Sequence, residues 1–338
     1  MIASLSKLID WSAIQVLTIR TPRDNGQSPR LEEALQFLKG PDFIPAESQP
    51  ARVELTSDKA RMQFRFPTPR PCDIAENNVV YGRLYPCAER WQERPVIVLL
   101  HGARDFVNYR FRFALIARRC NRAGLNAATL VTPYHFQRRP RQPGAGTWSG
   151  PDYLRLAKSM AQGVAEIRAL TGWLLGEGCP AVALWGISLG GWLAGMTVCR
   201  DARLAAVVPT VPRVRMDLSA AEQVLWRRIR TALPRLRAAN DALDKTPLNL
   251  TLGKPAIPKE NILLIEGIYD LCTPPEPIEE LWQAWGLPDI WRLPIGHISI
   301  GLGFTPGLTG RVLRWLAPRL NAPAATKRVS RGLPRNAE

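Results

Sequence analysis

Histidine is scarce in this chain: three occur in 338 residues, at positions 101, 135 and 297. The six cysteines, at 72, 87, 120, 179, 199 and 272, form no C-x-x-C pair. These shortages exclude the usual zinc patterns, which need Cys and His at close spacing. No apolar run reaches the roughly 18 residues that a membrane-spanning helix requires. The N-terminus has no charged start, apolar centre and small-residue cleavage site in the order of a secretory signal; Lys7, Asp10 and Arg20 interrupt its apolar positions. A cytoplasmic protein with reduced thiols is therefore expected, in which Cys72 and Cys87 would bridge only after export. Lysine is rare too: eight against 37 arginines, within a formal net charge of +16. Such a surplus suits phosphate, anionic lipid or an acidic substrate. The arginines are scattered, with no aromatic-interleaved patch, so they read as residues of solvated faces and no nucleic-acid partner is expected.

What the chain does hold is a large supply of core material, 46% apolar, with thirty prolines to break it into short elements. Residues 1–50 read as a helical extension. Its first twenty carry Ile2, Leu5, Leu8, Ile9, Trp11, Ile14 and Leu17 at helical spacing, a face expected to pack on the body, with peripheral membrane contact as the second option. Ser28-Pro29 looks like a cap and first-turn proline opening a helix to Lys39. Segments 52–56 and 61–66 alternate as half-buried strands do, and 77–86 reads as another strand, antiparallel to the one before it.

From residue 95 the pattern changes to short strand-like runs, the first of them continuously apolar, separated by helical stretches. The runs are 95–102, 126–135, 181–186, 204–211, 261–267 and 289–295; the helices are 110–123, 151–176, 189–199 and 308–320. That alternation predicts a mainly parallel sheet flanked by helices, within one α/β domain over 51–320. Residues 212–258 interrupt the rhythm with a helical insertion, a lid or a surface excursion, which Pro234 should bend. The stretch 321–338 is basic and without periodicity, as a disordered tail would be.

GISLG, residues 186–190, stands directly after one buried strand and directly before a helix. A nucleophile on such a turn must hold a strained backbone, with small residues two before and two after it to avoid clashes. Gly186 and Gly190 meet that need and make Ser188 the candidate nucleophile. A bare G-x-S-x-G is common by chance; the strand–turn–helix setting gives it weight. Serine needs a neighbouring base, and in this arrangement the base follows in the chain. His297 alone of the three histidines lies beyond residue 188, on the turn after the last strand. A lone histidine is most often structural, but its position makes this one the candidate general base and acid. The orienting carboxylate should leave the preceding strand. Asp270 does so, three residues past Gly267; a plain turn aspartate is the competing reading, and Glu266 and Asp217 are the alternatives. Oxyanion donors are expected from the backbone of Leu189 and of Ala103, with His101 and Gly102 shaping the loop. Tyr134, His135, Arg138, Arg139 and Trp148, on the loop 133–150, either line a pocket or, for Arg138, Arg139 and Arg141, form a solvated face.

HG after a buried strand, G-x-S-x-G, G-x-x-D and a final GH together resemble the α/β-hydrolase superfamily over roughly residues 95–320. PYHFQRRP (133–140) and GISLGGWLAG (186–195) are similar to the branch of the eighteenth α/β-hydrolase-domain-containing protein of animals, a lipid-linked esterase-type group. The resemblance implies an α/β-hydrolase fold of about eight strands, no cofactor, and hydrolysis of an ester or related acyl bond. The expected substrate is a small-molecule or lipid-like ester. A non-catalytic scaffold of the same fold, or a thioesterase or peptidase with the same three residues, are the alternatives; the sequence leaves oligomeric state open.

Overall fold

The computed structural model describes residues 2–19, 30–58, 61–141, 152–216, 233–302 and 307–321. Among them, nine strands form one mixed sheet in the order β1-β2-β3-β5-β4-β6-β7-β8-β9. β1 (Glu54–Asp58), β2 (Arg61–Pro67) and β3 (Val79–Tyr85) make an antiparallel meander, and β3 runs antiparallel to β5 (Asn126–Leu130). From β5 onward, β4 (Val96–Leu100), β6 (Val182–Ile187), β7 (Ala206–Thr210), β8 (Leu263–Gly267) and β9 (Asp289–Leu293) are all parallel. The edge strand β1 makes the ninth where the resemblance implied about eight.

Each residue of β4 through β8 is buried. Their runs of Val, Ile, Leu and Ala need apolar cover on both faces, which the crossover helices supply. One face holds α2 (Leu31–Lys39), α4 (Tyr153–Gly176), α5 (Leu189–Val198) and α7 (Pro275–Ala284), packed around Phe66, Trp192 and Leu264. The other face holds α3 (Phe113–Arg122) and the C-terminal helix Leu308–Leu320, around Ile97, Val208 and Ile265. Each fully buried large aliphatic or aromatic side chain contributes about 1.5–3 kcal/mol. β9, at the other edge, is the half-exposed exception.

Two expectations change at the periphery. α2 begins at Leu31, and its capping residue is Arg30 in the left-handed region at φ 56°, with no side-chain cap. Ser28 and Pro29 lie outside the described residues. α1 (Ile2–Ile19) does pack on the body, but only part of its apolar stripe turns inward: Ser6, Asp10 and Ile14 are buried while Leu5, Leu8 and Trp11 are exposed. In the insertion, α6 covers Leu233–Leu243; the segment before it, on which a bend at Pro234 would show, lies outside the described residues. Residues 217–232, Trp148 and the stretch from 322 onward are outside the described residues. Among the described residues no helix is long and apolar enough to cross a membrane, and all six cysteines are free thiols.

Candidate active site

Parallel strands send all their outgoing loops to one edge of the sheet, where sites of this architecture assemble. Four loops meet there. Ser188 follows β6, Asp270 follows β8, and His297 opens α8 (His297–Leu302) after β9. Residues 101–105 follow β4, which lies beside β6 in the sheet.

Ser188 stands at φ 56° and ψ −115°, a conformation that costs a non-glycine residue about 1–3 kcal/mol. Its surroundings leave no choice. The Ser188 N–H donates to the Thr210 carbonyl at 2.9 Å, and α5 starts one residue later. A Cβ on Gly186 would overlap the Gly190 carbonyl, and one on Gly190 would overlap that of Leu100. The small residues around Ser188 thus let β4, β6 and α5 converge on a turn that lifts the hydroxyl above the sheet edge.

Ser188 Oγ lies 3.0 Å from His297 Nε2, and His297 Nδ1 lies 2.7 Å from Asp270 Oδ2. Three side chains 109 and 27 residues apart along the chain thus form one hydrogen-bonded series. Asp270 is buried and fully subscribed. Its Oδ1 accepts the backbone N–H groups of Cys272 and Thr273, both at 2.7 Å, and its Oδ2 accepts the Thr273 hydroxyl at 3.0 Å. A carboxylate held by so many donors cannot rotate away from the imidazole. Burial pushes the His297 imidazole down, but the charge and hydrogen bond of Asp270 outweigh it, and the ring titrates above its ordinary value.

Donor atoms of Asp270, Cys272 and His297 lie within 4.8 Å of one another, the one such three-residue group among the described residues. The carboxylate and Nδ1 are already spent on each other, and burial holds the Cys272 thiol protonated by raising it well above its ordinary value. A proton relay uses these groups as they stand; a metal would have to break them apart.

The loop after β4 comes close to the serine. A Cβ on Gly102 would lie 3.4 Å from Ser188 Cβ, and Ala103, the next residue of the turn, is exposed. Arg104 takes φ 54°, a strained value that bends this loop tightly. His101 braces it from below. Its Nδ1 lies 2.7 Å from the Gly102 carbonyl and its Nε2 accepts the Thr132 N–H at 3.1 Å, which fixes the neutral Nδ1–H tautomer. Burial pushes this imidazole down to about 4. Leu189, the other expected donor, is the first residue of α5.

Not every expected residue belongs here. Arg138 is neither a pocket cation nor a solvated one: it is fully buried, with a fork to both oxygens of Glu166 at 2.6 and 2.7 Å and further bonds to the Val131 and Asn77 carbonyls. Arg139 and Arg141 are exposed, while Tyr134 and His135 are buried. Glu266 is buried beside Arg292, at 3.5 Å, and takes no part in the series.

The sequence gives no hint of Asp10. This buried carboxylate on α1 accepts the N–H of Leu271 at 3.0 Å, of His297 at 2.8 Å and of Ile298 at 2.9 Å. The only signal available was an acidic residue within an otherwise apolar helical pattern, which reads equally well as a solvated charge.

Comparison with known proteins bears on the fold and the family. Residues 52–219 match the family model of alpha/beta hydrolase domain containing 18. An uncharacterized protein of Mycobacterium tuberculosis is 31% identical over 182 residues, 52% of this chain and 42% of the relative. The chain therefore spans less than half the length of the curated relatives it matches. Among solved structures, an acetyl xylan esterase from Paenibacillus superposes with a TM-score of 0.58 at 16% identity, covering 90% of this chain and 98% of that one. An esterase from Pyrococcus furiosus superposes with a TM-score of 0.52 at 16% identity, covering 89% and 99%. At such identities the likeness is one of fold. With its nine-stranded sheet in the same architecture as these esterases, the chain belongs to the alpha/beta hydrolase family of domain-containing protein 18.

Proposed function

We propose that this chain is a serine hydrolase that cleaves a carboxylic ester through an acyl-enzyme. The observation that carries the assignment is the continuous series from Ser188 Oγ through His297 to Asp270, at 3.0 and 2.7 Å, beginning on a strained strand-to-helix turn. His297 Nε2 takes the Ser188 proton as the hydroxyl attacks the carbonyl carbon. The backbone N–H groups of Leu189 and Ala103 hold the developing oxyanion. Asp270 keeps the ring in the Nδ1–H tautomer and stabilises the imidazolium. His297 then returns its proton to the leaving alcohol, and a water activated by the same nitrogen releases the acid.

An apolar acyl group suits the rim. Phe106, Val107 and Phe111 follow the Ala103 loop directly and are exposed. A lipid-like ester would cover them, and the same apolar residues would allow peripheral contact with a lipid surface. Partners of nucleic-acid type and bound cofactors are no part of this proposal.

p-Nitrophenyl esters of increasing acyl length, with Ser188→Ala as control, test it. Hydrolysis that rises with chain length and disappears in the variant is expected. No turnover across the series by folded protein would count against ester hydrolysis.

A further inference from the structure

Resting on that proposal, a question follows about what holds two separate loops in register. Asp270 and His297 leave different strands, β8 and β9, and each sits on a loop that could shift by itself. Asp10 touches both. Its Oδ2 accepts the Leu271 N–H at 3.0 Å, one residue past Asp270, and also the N–H of His297 itself at 2.8 Å; its Oδ1 accepts the Ile298 N–H at 2.9 Å. The latter two are first-turn donors of α8, which have no partner within their own helix. The Asp10 side chain is wholly buried, and Gly296 leaves room for it: a Cβ there would come 2.6 Å from the carboxylate.

We infer that Asp10 is a positioning residue for the candidate triad, a carboxylate carried by the N-terminal helix that ties the Asp270 loop to the His297 loop and sets the imidazole between Ser188 and Asp270. Three features separate this from ordinary packing. The carboxylate is placed where burial opposes its charge, so its site is expensive to maintain. All three of its partners are backbone donors of the two loops that carry the base and the acid. The helix that carries it leaves Leu5, Leu8 and Trp11 exposed and buries the polar Ser6 and Asp10 beside Ile14, a choice apolar packing alone would not make.

The arrangement makes α1 part of the hydrolytic apparatus. A displacement of about 1 Å at a reacting group can cost 10²-fold in rate, so loosening this tie should act on kcat and leave substrate affinity alone.

The test compares Asp10→Asn and Asp10→Ala with Ile14→Ala, which weakens the same helix without touching the carboxylate. Asparagine keeps the shape but turns an N–H toward a backbone N–H, so it cannot satisfy all three donors. Two readouts are taken. The first is kcat and KM on the best p-nitrophenyl ester. The second, independent of turnover, is the far-downfield NMR signal of the His297 Nδ1 proton on Asp270, assigned by its disappearance in His297→Gln. Both Asp10 variants should lower kcat about 10- to 100-fold with KM within about twofold, and should lose or broaden the proton signal. Ile14→Ala should retain both. An Asp10→Asn protein that keeps the wild-type kcat and a sharp proton signal would overturn the inference. Should the wild-type protein cleave no ester, the proton signal alone decides: its loss in Asp10→Asn upholds the positioning role although the hydrolase proposal fails, and its persistence refutes it.

Discussion

Gly190 lies so close to the carbonyl of Leu100 that no Cβ fits between them. β4 and β6 are neighbours, and α5 must leave the end of one while brushing the end of the other. Gly190→Ala should therefore either force the backbone of β4 aside or unwind the first turn of α5. Overpacking of this kind costs about 1–3 kcal/mol, and more where backbone is the obstacle. Calorimetry should show a lowered Tm, and any folded fraction should label poorly with a serine-directed fluorophosphonate. An unchanged Tm with full labelling would mean that the turn is looser than this contact requires.

The pH dependence of hydrolysis should follow His297. The ring must be neutral to accept the Ser188 proton, and Asp270 raises its titration above the ordinary 6.5. The acid limb of kcat/KM should then lie above that value, with activity growing as pH rises through it. Stability runs the opposite way. A group whose folded pKa exceeds its unfolded one lends stability fully below the unfolded value and loses it as pH rises through the folded value. A pH–rate profile beside denaturant titrations at the same pH values checks both signs. Asp270→Asn should leave the chain folded and reduce kcat by roughly 10⁴-fold, since it favours the wrong tautomer.

His101 predicts acid sensitivity of the fold. Burial holds its folded pKa at about 4, below the ordinary 6.5, so its stabilising effect is complete above 6.5 and is lost as pH falls toward 4. The full span corresponds to a loss on the order of 3 kcal/mol. His135, whose ring meets it edge-on and is also lowered by burial, adds in the same direction. Urea midpoints measured between pH 7 and 4 should fall steeply, and His101→Gln should flatten the fall.

Glu166 and Arg138 form an ion pair with neither side chain exposed. Glu166→Gln leaves the guanidinium buried without a counter-charge, and removing one member of such a pair costs about 3–5 kcal/mol. Chemical denaturation should register the loss with little change in the KM of any folded enzyme.

These consequences mark what residue patterns can and cannot reveal. The buried strands were legible because parallel β-strands covered on both faces need uninterrupted apolar runs, and VIVLL and VALWGI are such runs. Ser188 was legible because its turn demands glycine at fixed offsets, and His297 because only one histidine lies downstream. Asp270 followed from chain order. Asp10 was hidden because its partners are backbone N–H groups more than 260 residues away, and backbone donors leave no trace in side-chain patterns. Arg138 was hidden for a related reason. A charged residue on a Pro- and Arg-rich loop looks solvated unless its partner is known, and Glu166 sits within a long helix with nothing to single it out. The face of α1 was legible only in part for the same reason: Ile14 of the apolar spacing turns inward, but Ser6 and Asp10 do so as well while Leu5, Leu8 and Trp11 stay exposed.

The central claim is that the Ser188 hydroxyl is an activated nucleophile. Incubating the folded protein with a fluorophosphonate probe and mapping the adduct by peptide mass spectrometry tests it most directly. A single adduct on Ser188, formed in the wild type and much slower in His297→Gln, is the predicted result. Absence of any adduct on Ser188 in protein shown to be natively folded would contradict it.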